Sequence, residues 1–553
     1  MSQDSLTLTY RLLDEKSARF ADKLRNARAH ETSLLIPHRD MKSKLEIELS
    51  QLQAEVNNLK APDPVFEIMK EHYGHFLQAQ YKNIGSAFQR PARYINNITY
   101  TVTNLSRKDS RDSATRAKII LSRLKQSEEV WQGVMTWLED ASAIDIQELI
   151  NAQAIMKETI SKEALKFEER FAGLDLDKIR ELQKEIELVC QKSDIWRELA
   201  ASILDKKGVP VKGMLSDDEC IPFEEPFYRS LLWDELGVDL DQLLDWYQDE
   251  VEKTRDEVFK IAADLPISEK APTTMEQVNA ILLKYAGPKD SPEEMFEAGH
   301  RYLAISKAAC RDHVWLPDDE ICELNPIPEQ LKFSYPWGGY GGGDSTRRPL
   351  IGEMFLNNHN YKAVTDGWIK MNTVHEAYPG HHVQFVRSAL DKTPETIKMG
   401  SRSVPITEGT CHRSEKLFIS NFPEDPFYPL FVAYRRHHTS VRIKVDLGLR
   451  YFGTPIGVGV KTFMDELDFD YNTARGQVQA METMQGYFTC YYYGFKRLMD
   501  LEKKYGYGEK PYTELLFSAG RVSLETFEKF LQLSKEDKKR YCQDFKSIIQ
   551  FGQ

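Results

Sequence analysis

Along most of the chain, apolar residues recur every three or four positions, the spacing of one buried helical face. Leu45, Leu49, Leu52, Val56 and Leu59 alternate steps of four and three. Two heptads are short for a coiled coil, so this run predicts a helix packed within an N-terminal lobe. Helical spacing also runs through about 114–142, 147–172 and 176–204. Ser113 and Asp175 stand where N-caps are expected, because a short polar side chain there can accept a first-turn amide. A Pro/Gly/acidic stretch, 206–226, breaks the pattern and reads as a lobe junction. The pattern resumes to about 263, and residues 264–273, with two prolines, read as a further link. The longest irregular segment is Leu316 to Pro349. It has four prolines before the run Gly338-Gly339-Tyr340-Gly341-Gly342-Gly343. No Gly-Lys-Ser/Thr follows the glycines, so a phosphate loop is not expected. Long loops tend to border sites, which places Tyr335, Trp337 and Tyr340 near a substrate. The pattern predicts an all-α chain of two lobes, 1–270 and 271–553, with few or no short strands.

Candidate chemistry concentrates in His375-Glu376-Ala377-Tyr378-Pro379-Gly380-His381-His382-Val383-Gln384. Neutral imidazole is a preferred zinc ligand, and an adjacent carboxylate can take a proton from the attacking water. The ordinary signature places two histidines four apart on one helix. Here Pro379-Gly380 interrupts a longer interval. Ligand nitrogens at ~2.0 Å from tetrahedral zinc lie roughly 3.3 Å apart. On a straight helix His382 is ~10.5 Å along the axis from His375, and His381 is about 120° off its face. A regular helix therefore serves neither pairing. The break imposed by Pro379 and the freedom of Gly380 predict a helix with His375 and Glu376, a kink, and a restart.

A second cluster, Thr407-Glu408-Gly409-Thr410-Cys411-His412-Arg413-Ser414-Glu415, can supply a third, carboxylate ligand through Glu408. Glu408 and Glu415 are seven apart and share a helical face. Tyr487 and Tyr491 lie four apart in the aromatic run Tyr487, Phe488, Tyr491, Tyr492, Tyr493, and a phenol there could donate to an oxyanion.

The segment Asn372 to Gln384 resembles the signature of the family called domain of unknown function 885, whose members resemble all-helical zinc peptidases. Glu408-Gly409 through Glu415 match the ends of its next block. Val441 to Leu449 resemble its Arg-x-x-x-Asp-x-Gly block, and Gly486 to Gly494 its tyrosine block, which places Tyr491 on the tyrosine. Thr513 to Leu524 resemble its closing helix. A more distant similarity is to the carboxypeptidase Taq family, whose Gly-His step matches Gly380-His381. That resemblance implies His375, His381 and Glu408 as zinc ligands, Glu376 as base, and His382 as a supporting group or oxyanion donor. It also implies a bilobal zinc-peptidase-like architecture with a deep central cleft. Helical azimuth favours His382 over His381, but azimuth counted through a break carries little weight. The family's tryptophan after Glu-Gly is Thr410 here, and its apolar run becomes Cys411-His412-Arg413-Ser414. Hydrolysis with an altered substrate choice is the expectation.

Composition narrows the setting. The chain has 553 residues, 41% hydrophobic and 29% charged, which suits a soluble globular protein with a large core. A net charge of −12 speaks against nucleic acid as partner. No apolar run reaches membrane-spanning length, and MSQDSLTLTYRLLDEK lacks the basic start and apolar run of a signal peptide. Seven scattered cysteines without Cys-x-x-Cys suggest reduced thiols in the cytoplasm. The expectation is therefore a cytoplasmic zinc hydrolase cleaving an amide of a short peptide or peptide-like small molecule, with Glu376, His382 and Tyr491 in catalysis. Arg442 or Arg413 would pair with a substrate carboxylate, with Tyr487 beside them. A zinc lyase or hydratase acting on a specialised metabolite, and a catalytically inactive binding scaffold, are the alternatives. Nothing excludes a homodimer.

Overall fold

The structure is a computed structural model that describes residues 3–25, 34–107, 109, 111–208, 215–328, 332, 335–343, 345, 348–390 and 393–545. Eight positions of the long glycine-bearing segment, 329–331, 333, 334, 344, 346 and 347, lie outside these. The described chain is mainly helical, in agreement with its periodicity.

Two compact units are present. One comprises Met1–Leu59 and Leu77–Leu215; the other comprises Lys60–Phe76 and Ser216–Gln553. The second unit resumes at Ser216, inside the Pro/Gly/acidic stretch, so residues 216–270 belong to it.

In the first unit Leu45, Leu49, Leu52 and Val56 form the buried face of the helix Arg39–Asn57, and Leu59 falls just beyond its end. Asp175 caps Leu176–Lys206 by accepting from the Asp177 amide. At the other expected cap the acceptor is Asp112, which takes the Thr115 amide; Ser113 is the first helical residue. A carboxylate one position earlier, which also accepts from the Thr115 hydroxyl, outcompetes the serine. The core includes Trp131, Leu149, Met156, Phe167 and Leu182. A buried charge, Glu163, is bonded by Ser106 at 2.7 Å and by Arg107 Nε at 2.8 Å.

The second unit holds the candidate chemistry and a small sheet that helical periodicity does not announce. β1 (Glu320–Pro326) pairs parallel with β3 (Leu350–Leu356), and β3 pairs antiparallel with β2 (Gly338–Gly341), giving the order β1-β3-β2. β1 alternates buried and exposed positions in its first five residues, which puts Glu320, Cys322 and Leu324 on the inner face. β2 comes from the glycine run, and Tyr340 pairs with Met354. Glycine in this strand leaves room for large neighbouring side chains. A Cβ at Gly339 would lie 2.8 Å from the Phe355 ring.

Two further helices touch backbone to backbone. On Val404–Leu417, a Cβ at Gly409 would sit 2.4 Å from the Gly494 carbonyl carbon. On Cys490–Tyr505, a Cβ at Gly494 would sit 1.9 Å from the Pro405 oxygen. This contact sets Glu408 beside the tyrosines.

Candidate metal centre

The helix Asp366–Asn372 runs into a wider π turn, Thr373–Ala377, that carries His375 and Glu376. Tyr378 is extended, and a new helix, His381–Ser388, starts directly after Gly380. Pro379 has no amide hydrogen with which to continue the ladder. A Cβ on Gly380 would lie 1.9 Å from the His375 oxygen and 2.3 Å from that of Val374. Glycine lets the backbone fold back over His375, and the return sets His381 against it, ring centroids 5.0 Å apart at 82°.

Glu408 completes the group. Its Oε2 is 3.4 Å from His375 Nε2 and 3.6 Å from His381 Nε2. Both distances exceed the ordinary hydrogen-bond range, and this buried oxygen has no hydrogen-bond partner. They approach the roughly 3.3 Å between ligand atoms around tetrahedral zinc. The other oxygen, Oε1, accepts from Tyr487 OH at 2.7 Å. Glu376 Oε2 is 4.0 Å from His381 Nε2, on a half-buried side chain at the edge of the same group.

Each histidine is held from behind. Glu415 Oε1 lies 2.7 Å from His375 Nδ1. Gln384 Oε1 lies 3.0 Å from His381 Nδ1, which also has Cys411 Sγ at 3.6 Å. Acceptors at Nδ1 keep its proton there and turn the Nε2 lone pair toward Glu408. His375, His381 and Cys411 are close enough to share an ion, as are His375, His412 and Glu415. The second set would use the His375 nitrogen that already faces Glu415. The Nε2 atoms of both His375 and His381 face the unbonded Glu408 oxygen.

The electrostatics agree with a cation site. Burial opposes charge on Glu408, and the facing His381 and His375 outweigh it, holding the carboxyl well below its usual range. Burial likewise opposes charge on His375, yet Cys411, Glu408 and Glu415 raise it to about 10. The field between these groups favours positive charge, whether proton or metal ion. His412, by contrast, is pushed down to about 4 by burial.

The remaining expected residues divide. Tyr491 runs alongside His375, ring centroids 6.5 Å apart at 14°, and meets the His412 ring edge-on at 5.6 Å. Arg442 Cζ lies 5.4 Å over Tyr491. Arg413 is not with them. It points about 140° round the helix from Glu408. Its guanidinium binds Glu502 through Nε at 3.0 Å and Nη2 at 2.6 Å, and Thr513 through Nη1 at 2.8 Å. Fully buried, with each nitrogen already bonded, it is committed to the fold and not to a substrate.

His382 also stays outside the metal group. Its Nε2 is 2.7 Å from Glu320 Oε2 and its Nδ1 is 3.0 Å from Tyr340 OH. Burial lowers its pKa, so it is neutral, and both nitrogens are occupied. It cannot donate directly to an oxyanion; it positions Tyr340, whose ring lies beside His381 at 6.5 Å. Trp337 stacks on Trp368 at 4.0 Å, next to His438. Sequence reasoning missed Glu320, which also accepts from Tyr378 OH at 2.6 Å and forms a close ion pair with Lys307 at 2.7 Å. The available signal was the alternation of Glu320, Cys322 and Leu324, which puts a carboxylate in phase with apolar residues.

A family model described as "Bacterial protein of unknown function (DUF885)" matches residues 7–515. Among curated proteins there is no match. Two solved structures share the fold. One, from Colwellia psychrerythraea and described as a "putative lipoprotein", superposes with a TM-score of 0.78 at 13% identity, covering 96% of this chain and 98% of that one. The other, from Shewanella oneidensis and described as a "putative lipoprotein of unknown function", gives 0.73 at 13% identity, covering 94% and 100%. At such identity the likeness speaks for the fold alone.

Proposed function

Because this chain belongs to the DUF885 family, whose description names no activity, we propose from the site itself that it is a zinc-dependent hydrolase cleaving an amide bond of a peptide or peptide-like small molecule. One observation carries the reading. A buried, unbonded Glu408 oxygen lies 3.4 and 3.6 Å from the Nε2 atoms of two histidines, close to the spacing of ligand atoms, with a second carboxylate at the edge. His375, His381 and Glu408 would hold the ion. Zinc bound there would supply a Lewis acid for the substrate carbonyl and lower the pKa of water.

This chain's own residues account for the rest. Glu415 fixes the tautomer of His375, and Tyr487 anchors the free oxygen of Glu408. Glu376 is partly exposed and is not bonded to either histidine, so it can accept a proton from the attacking water and return it to the departing amine. The water oxygen joins the acyl carbon, and the carbon–nitrogen bond breaks. Tyr491, whose ring lies along His375, would donate to the developing oxyanion.

The test combines elemental analysis with one substitution. The metal-replete protein should hold about one zinc per chain. Glu376→Gln should keep that zinc while losing two or more orders of magnitude in turnover on a peptide library, roughly the contribution of a general base. Absence of any transition metal sinks the reading, and loss of zinc from Glu376→Gln would make that residue a ligand.

A further inference from the structure

We propose that Arg435 and Arg442 form a receptor for a free carboxylate on the substrate, so that the molecule cleaved is an N-acyl amino acid or a peptide cut near its C-terminus. The inference rests on the hydrolase reading only for where the reacting bond lies.

Both arginines belong to the helix Tyr428–Arg450 and stand seven residues apart, hence on one face. Both are buried, 6% and 5% exposed. A guanidinium removed from water needs an anion or a full set of acceptors. Three other buried arginines of this unit meet a carboxylate, Arg387 with Glu514, Arg413 with Glu502 and Arg475 with Glu482, and Arg450 is bonded to the carbonyls of Ile221, Met481 and Glu482. Arg435 and Arg442 have neither. Arg442 gives Nη2 to the neutral Gln477 Oε1 at 2.8 Å. Arg435 has His438 Nδ1 at 3.5 Å. The Nε of each is buried without a hydrogen-bond partner, and among the described residues no carboxylate comes within ion-pair distance of either.

The neighbours make the imbalance larger. Burial and then Arg435 push Arg442 down to about 9. Burial and these two arginines hold the His438 pKa well below its usual range, and an imidazole in either state supplies no negative charge. An anion is what this pair lacks.

The walls indicate which anion. Arg442 Cζ lies 4.8 Å over Phe488 and 5.4 Å over Tyr491. Arg435 Cζ lies 5.4 Å over Trp368, which stacks on Trp337. Planar guanidinium forks match a planar carboxylate, and aromatic faces suit the apolar body of an amino acid beside it. Tyr491 links the pair to the metal centre, since its ring contacts both Arg442 and His375. A carboxylate held here belongs to the same small molecule as the scissile bond.

The experiment uses the zinc-loaded full chain and a library of N-acetylated dipeptides, once as free acids and once as C-terminal amides. The free acids should be cleaved at least about 30-fold faster, the lower end of what a buried charge pair contributes. Arg435→Gln and Arg442→Gln should each bring the two libraries close together by raising KM for the acids. Arg442→Lys, which keeps the charge, should retain part of the preference and shows that the helix still folds. Equal cleavage of acids and amides by the unaltered protein, or an undiminished preference in both Gln variants, overturns the inference and leaves the hydrolase reading standing. If neither library is cleaved, the hydrolase reading fails and melting curves decide this one. Stabilisation by the acids that is lost in Arg435→Gln and Arg442→Gln supports the receptor; stabilisation by neither library, or by inorganic phosphate alone, overturns it.

Discussion

Glu415 Oε1 lies 2.7 Å from His375 Nδ1, and both side chains are almost wholly buried. The pair fixes which nitrogen of His375 carries the proton and leaves Nε2 to face Glu408. Glu415→Gln keeps the volume and removes the charge. It should weaken zinc binding by about 10–100-fold without displacing a ligand, the usual effect of disturbing a group behind a metal-bound histidine. Competition with a calibrated chelator measures this, and unchanged affinity would show that the contact is only packing.

The two adjacent histidines have separate roles, and substitution separates them. His381→Ala should purify nearly free of zinc. His382→Ala should keep zinc and turn over slowly, through Tyr340 losing its acceptor, about 10–100-fold below the unaltered protein. Metal content and kcat read side by side decide it; the reverse pattern would exchange the assignments.

Glu320 ties acid stability to the same region. Burial pushes its carboxyl up, and bonds from His382, Lys307 and Tyr378 more than reverse this, holding it at about 2. The unfolded chain titrates this group near ~4.3. Its stabilising contribution is therefore complete above that value and is lost as pH falls through about 2. The contribution at neutral pH is on the order of 3 kcal/mol. Urea midpoints should show Glu320→Gln less stable at pH 7 and equal to the unaltered protein near pH 2. A gap that persists at low pH would contradict the assignment.

Thr410 is 3% exposed and lies about 200° round the helix from Glu408, away from the metal group. The family resemblance, with threonine in place of tryptophan here, implies an altered substrate choice. The azimuth instead predicts that Thr410→Trp overfills a packed interior, at a cost of about 1–3 kcal/mol. Melting temperature should fall, and turnover of small and bulky substrates should fall together. Selective loss on bulky substrates would return Thr410 to the pocket wall.

The helical fold was legible because periodicity reports burial directly, and the fold-back at Pro379-Gly380 was legible because proline breaks the helix and glycine permits the return. The sheet was not. Its strands are short, all three contain proline or glycine, and β1 alternates over only five residues, too few to stand out from a loop. Arg413 was misplaced because adjacency to Glu408 was weighed ahead of rotation about the helix. Arg435-Arg436-His437-His438 has the composition of a solvated run, and only the fold shows that Arg436 finds Glu257 while Arg435 meets no acid among the described residues.

The glycine contact between the Glu408 and Tyr491 helices has a mechanical consequence. Backbones in direct contact, with no side chain between them, have no compliant layer in which to slide. Glu408, Tyr487 and Tyr491 therefore move as one stiff block. A methyl group at residue 409 or 494 would act as a wedge, shifting a ligand relative to its partners while leaving every reactive side chain in place.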